Sequence, residues 1–290
     1  MGSAPSTSAK CQKCGVPATE SLRNCPSCGY DLGCPNVRAA MTADEVDALS
    51  SRFNTAAANA DKRGLAEEFA ALVLVVHSAS HVVVAMRPLS ARHLLSDPLE
   101  LYANYESLVG AGNRLPAPSK DDGDRHAVSG KLFASYASEI RYGVLSLDGV
   151  GLSNYGLVFV RLRDVAIEQR VSFLHENSYL FMDALQVPVR GNLPHGFRSG
   201  WQNRDKLVAA KIEPILSAGS NATNWARQLV AQGATRSEDK CVEAHIFGSF
   251  NADSVESIEF ARPGSSRGER NDINCIKELM ARRGPGGGMA

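Results

Sequence analysis

Two cysteine pairs near the amino terminus, Cys11-Gln12-Lys13-Cys14-Gly15 and Cys25-Pro26-Ser27-Cys28-Gly29, constrain this chain more than any other feature. A two-residue gap lets one tight turn aim both thiolates at a single ion. The glycine that follows permits the positive φ such a turn requires. Two turns supply four sulfur ligands, a closed tetrahedral set that suits structural zinc and leaves no open position for catalysis. Disulfide pairing is the competing arrangement and is disfavoured where thiols stay reduced. The first ten residues are small and polar, with no apolar core of a secretory signal, so a cytosolic location is expected.

The paired cysteines resemble the zinc-ribbon family, in which Cys-Pro-Ser-Cys-Gly is a common form. The likeness covers about the first 35 residues. That resemblance implies a module that binds nucleic acid or protein, or that braces a neighbour. Cys34 follows closely and reads as a small residue just past the last turn. The expected organisation is a zinc ribbon over 1–38, a helical connector over 39–80, a larger sheet domain over 81–262, and a partly disordered tail over 263–290.

Formal net charge is zero, which argues against a strongly basic nucleic-acid binder. The most apolar run, 69–86, is interrupted by His77, Ser78, Ser80 and His81. It therefore lacks the roughly 18 continuous apolar residues of a membrane span, and no membrane partner is expected. Thr42-Ala43-Asp44-Glu45 is a capping box that predicts a helix from Ala43 through Phe53. A second helix is predicted from Leu65 to His77. His81–Met86 then reads as a buried strand ended by Pro88. Leu99–Val109 has helical spacing, and 112–130 is a charged, breaker-rich loop: a lid over a site or a connector.

Strands dominate from there: Arg141–Leu147, Gly156–Leu162, Arg170–Leu174 and Ile258–Phe260. Helical patterns fall at Tyr179–Leu185, Arg198–Leu216, Asn224–Ala231 and Ile273–Arg283; Asn177-Ser178 ahead of the first either caps it or serves a cofactor. Strands separated by helices without regular βαβ alternation predict an α+β fold with a largely antiparallel sheet. No dinucleotide glycine fingerprint, P-loop or nucleophile elbow is present.

Lys240–Phe250 is the most informative of these strands. Val242, Ala244 and Ile246 alternate with Cys241, Glu243 and His245, a period of two. Carboxylates are depleted in strand interiors, so Glu243 fits one of two places. It faces water on the wet side of an antiparallel sheet, or it faces a cleft as a catalytic acid.

Four segments together resemble the toxin-like, NAD-dependent ADP-ribosyltransferase family: Leu152–Gly156, Arg170–Ser178, Gly200–Arg204 and Cys241–Gly248. In that family a late strand carries an essential glutamate, often set in Val-Glu-Ala-(Gln or His)-(Ile or Val)-x-Gly. The resemblance implies NAD as substrate, nicotinamide as leaving group, and a macromolecular acceptor, nucleic acid or protein. It implies Glu243 as the catalytic residue. Arg141 is the implied cofactor-binding cation on the first strand, with His81 as runner-up, and Ser172 or Tyr155 sits beside the nicotinamide ribose. Arg170 is a second cation for the phosphates. Cys241 stands where many members carry Glu or Gln, which leaves the acceptor open. A free cytosolic enzyme of this kind harms its host cell, which fits a toxin, effector or defence protein. The competing reading is a non-catalytic zinc-ribbon adaptor.

Overall fold

The structure, a computed structural model, describes residues 10–17, 21–103, 127–184, 193–264 and 266–283. Past the cysteine pairs come three helices, α1 (Pro35–Ala40), α2 (Ala43–Lys62) and α3 (Ala66–Ala79). Next are β1 (His81–Met86) and α4 (Pro88–Ser96). The following elements are β2 (Ile140–Ser146), β3 (Val158–Leu162), α5 (Asp164–Ile167), β4 (Val171–Leu174) and α6 (Ser178–Ala184). Then come β5 (Arg198–Gly200), α7 (Arg204–Ile212), α8 (Ala222–Leu229), β6 (Val230–Ala231) and β7 (Lys240–Cys241). The last are β8 (Glu243–Phe247), β9 (Val255–Phe260) and α9 (Arg267–Arg283).

Seven strands form one sheet in the order β5-β4-β8-β2-β1-β3-β9, antiparallel at every described pairing, and β6 with β7 makes a separate ribbon. The expected α+β class and antiparallel sheet are therefore present. Directly opposed residues on antiparallel neighbours share a face. Val82, Val84, Leu145, Val160, Phe173, Ala244 and Ile246 thus line one face, where they join the apolar side chains of α2, α3, α4, α7 and α8 in the main core. Leu49, Leu72 and Val76 of the expected connector helices belong to that same core. The opposite face carries Glu243, His245, Tyr142, Val144, Ser172 and Leu174.

Helix α2 runs nine residues past the expected end at Phe53, because Ala56, Ala57, Ala58 and Ala60 are strong helix formers and Ala56 and Ala60 are buried. Gly64, at φ +71°, stops it, with Leu65 N–H returning to Ala60 C=O at 2.8 Å. Only half of the expected capping box forms. Thr42 accepts from Glu45 N–H, but the Glu45 carboxylate turns away to Gly196 N–H and the Arg198 guanidinium. That charge-assisted pair fastens α2 to β5 and outweighs a local return bond.

Arg198–Gly200 was expected to open a helix and instead adds a strand to β4; the helix begins only at Arg204. The strand expected over Lys240–Phe250 breaks at Val242, with β7 pairing β6 and β8 entering the main sheet. Residues 99–103 of the expected Leu99–Val109 helix are turn or irregular, and the rest of that span lies outside the described residues. Most of the 112–130 loop lies outside them too, while 127–133 are helical. The expected tail helix at Ile273 starts earlier, at Arg267; residues 1–9 and 284–290 are outside the described set. Among the described residues no helix is long and apolar enough to cross a membrane.

Candidate functional site

The four cysteines meet. Cys11 Sγ lies 3.7 Å from Cys28 Sγ, Cys14 Sγ lies 3.6 Å from Cys25 Sγ, and all four sulfurs are within 4.8 Å of one another. Sulfurs about 2.3 Å from a tetrahedral ion stand about 3.8 Å apart, so the cluster fits a metal ion such as zinc. Both turns are built alike. Gly15 N–H and Gly29 N–H bond the Cys11 and Cys25 carbonyls at 2.8 and 2.9 Å, with φ of +73° and +69°. Cys34 is buried at the start of α1, where burial pushes its thiol up.

One residue past Cys34 and Pro35, Asn36 reaches into the main sheet. Its Nδ2 donates to His245 C=O at 2.8 Å, Ser172 Oγ at 3.0 Å and Arg170 C=O at 3.2 Å. The residue is 3% exposed, so these bonds form without competing water. The cysteine module is thereby pinned beside β4 and to β8, the strand that carries Glu243.

Glu243 is neither in bulk water nor sealed: its side chain is 13% exposed. Oε2 accepts the Ser178 N–H at 2.9 Å and lies 3.4 Å from His245 Nε2. That distance is in ion-pair range, but the alignment forms no hydrogen bond, so the buried imidazole nitrogen has no partner among the described residues. Phe133 and Tyr142 stand edge-on around the ring, 4.8 and 5.5 Å away between centroids, and the Tyr142 hydroxyl bonds Ser129 Oγ at 2.8 Å. Asn177 caps α6 through Tyr179 N–H, one of the two roles open to Asn177-Ser178. The two surface clefts described, along α2 and between β9 and α9, do not include Glu243.

Of the other residues singled out in the sequence, Ser172 shares Glu243's face, where its hydroxyl meets Asn36. Tyr155 packs against Leu152 and Val83 on that face, and burial, then the Glu243 carboxylate, push its phenol far up. Arg141 points to the other face, since it pairs with Ile246. Its guanidinium is spent on Ser138 C=O, Ser249 Oγ and Tyr102 C=O, and burial lowers its pKa. Arg170 likewise donates to Ala166, Phe247 and Ser249 carbonyls, bracing the turn after β8. His81 pairs with Asp164 at 3.3 Å. Trp201 and Trp225 are core residues.

Lys211 has the long apolar stem that lets a lysine cover its stem and keep its ammonium in water. Instead its ammonium is buried, 2.6 Å from Glu176 Oε2 and bonded to the His175 and Cys241 carbonyls. Glu176 Oε1 also takes the Asn177 and Cys241 N–H groups, so this pair fixes the segment that presents Ser178 to Glu243. Neither Asn36 nor the Lys211–Glu176 pair carried a sequence signal. His245 did, because residues two apart on a strand share a face.

His175, next to that pair, has its pKa lowered to about 3, by burial first and then by Arg52 and Lys211. Arg52 Nη2 donates to Nδ1 at 3.3 Å, which requires the neutral ring. The unfolded chain takes up this proton near pH 6.5 and the folded chain does not. Stability is therefore intact above pH 6.5 and falls as pH drops toward 3. Going from pH 7 to pH 5 removes at most about 2 kcal/mol through this residue, which is partly exposed. Denaturant titrations at the two pH values will show a smaller loss for His175→Asn than for the parent; equal losses contradict this assignment.

No protein-family model matches the sequence, and no curated protein matches it.

Proposed function

We propose that this chain is an NAD-dependent mono-ADP-ribosyltransferase, stapled by a structural zinc ion at Cys11, Cys14, Cys25 and Cys28, that transfers ADP-ribose to a nucleic acid or protein. The observation that supports it is the environment of Glu243. This carboxylate sits on a central strand, is mostly buried, is oriented by a backbone N–H, and adjoins an imidazole nitrogen with no hydrogen bond. A mostly buried, oriented acid with unspent hydrogen-bonding capacity beside it is a feature of a reaction site rather than of packing.

In the reaction the bond between ribose C1′ and the nicotinamide nitrogen breaks, and its electron pair stays on the ring, which leaves neutral. C1′ acquires oxocarbenium character, which the Glu243 carboxylate stabilises through the adjacent ribose hydroxyl. An acceptor nucleophile then bonds C1′ and releases its proton to solvent. Tyr155 lies on the sheet face that would meet the nicotinamide half, whereas Ser172 on that face is buried and taken by Asn36. Arg141 and Arg170 have structural duties, so the phosphates need another partner. The competing adaptor reading draws on the same cysteine cluster and requires no NAD consumption.

Purified protein incubated with NAD labelled in the adenylate and a cell lysate, then split into protein and nucleic-acid fractions, will leave label in one of them. Label in neither fraction contradicts transfer to a macromolecule.

A further inference from the structure

We propose that Arg236 is the anion-holding residue beside Glu243 and takes the diphosphate of a dinucleotide; the identity of that ligand as NAD rests on the function proposed above. Arg236 lies in the segment between β6 and β7. Three contacts fix its place. Its carbonyl accepts the Asn177 side-chain amide at 2.9 Å, its Nε donates to Asn154 C=O at 2.9 Å, and its guanidinium lies over the Tyr155 ring, 5.1 Å from the centroid. Asn177 is the residue before Ser178, whose N–H holds Glu243, so Arg236 and the carboxylate are gripped by two consecutive residues.

What sets Arg236 apart is unspent capacity. Lys211, which bonds the Cys241 carbonyl at the end of the same segment, is committed to Glu176. Among the described residues, the two Nη groups of Arg236 donate to nothing, while Nε and the ring hold the plane of the guanidinium still. An oriented fork with two free N–H edges suits bidentate binding of phosphate oxygens. The nearby acids are Glu238, whose carboxylate takes Ala234 N–H, and Asp239, whose Oδ1 is bonded to Asn154 and Gly233. Neither makes an ion pair with Arg236 among the described residues. The resulting polarity matches a dinucleotide with a cationic ring at one end and a diphosphate in its middle: acid at Glu243, base at Arg236.

The test uses inorganic pyrophosphate and ADP-ribose in calorimetric titrations of the full chain. Two variants are compared with the parent. Arg236→Ala removes the side chain but keeps the carbonyl that holds Asn177; Arg236→Gln keeps an N–H that can reach Asn154 and so guards against a folding defect. Both variants are expected to bind pyrophosphate and ADP-ribose at least about tenfold more weakly than the parent, the size of a lost charge-assisted contact. Absence of pyrophosphate binding by the parent in the millimolar range, or equal binding by parent and variants, overturns the proposal. Pyrophosphate binding that depends on Arg236, in a protein that releases no nicotinamide, upholds the anion site and overturns the NAD reading alone.

Discussion

Removing the metal with a strong chelator will unfold the amino-terminal module and lower the melting temperature of the whole chain. The module has little apolar core of its own: Leu22 and Tyr30 are exposed, and its buried apolar residues are chiefly the cysteines. Four thiolates held within 4.8 Å of one another repel unless an ion sits among them, so the fold of this segment is tied to metal binding. Structural zinc contributes on the order of 10 kcal/mol to folding in such modules. The effect reaches the sheet through Asn36, whose bonds to Ser172 of β4, His245 of β8 and Arg170 just before β4 are each worth about 1 kcal/mol. Metal analysis of protein purified without chelators will give one zinc per chain, and Cys14→Ser will reproduce the chelated state. Far less than one zinc per chain contradicts the assignment.

Glu243→Gln will reduce nicotinamide release from NAD by about a hundredfold or more and leave the melting temperature close to that of the parent. Glutamine has the same shape, and its amide oxygen can still accept the Ser178 N–H, so the local fold is kept. Only the negative charge is lost, and charge placed against a developing cation is the largest single contribution to this kind of catalysis. Equal turnover by variant and parent would show that the carboxylate has no part in the reaction.

Much of the architecture was legible because it rests on local rules. The four cysteines that meet lie within two single turns, so spacing alone marks them as candidate ligands. β1, β2, β3 and β4 follow from short apolar runs bounded by breakers, and α6 from its Asn177 cap. Errors arose where a distant contact overrode local preference. Arg198–Gly200 looks helical until β4 supplies an edge to pair with and Glu45 a partner for Arg198. Lys211 resembles a surface lysine until Glu176 meets it in the core.

The site shows the same division. Glu243 was visible because an acid inside a strand is unusual, and its parity with His245 was there to be read. The facing of Arg141 was not, because it depends on register: Arg141 pairs with Ile246, and Ile246 faces the helices. Arg236 had no periodic context, and only the folded path of residues 232–239 brings it beside Asn177.

The central claim, that the Glu243 face consumes NAD, is tested most directly by incubating the purified, zinc-loaded chain with NAD and quantifying free nicotinamide over time. The account predicts nicotinamide accumulating in proportion to enzyme, through slow hydrolysis even without an acceptor and faster once lysate is added. NAD that survives intact under both conditions would contradict it and leave a metal-pinned α+β scaffold with an idle carboxylate.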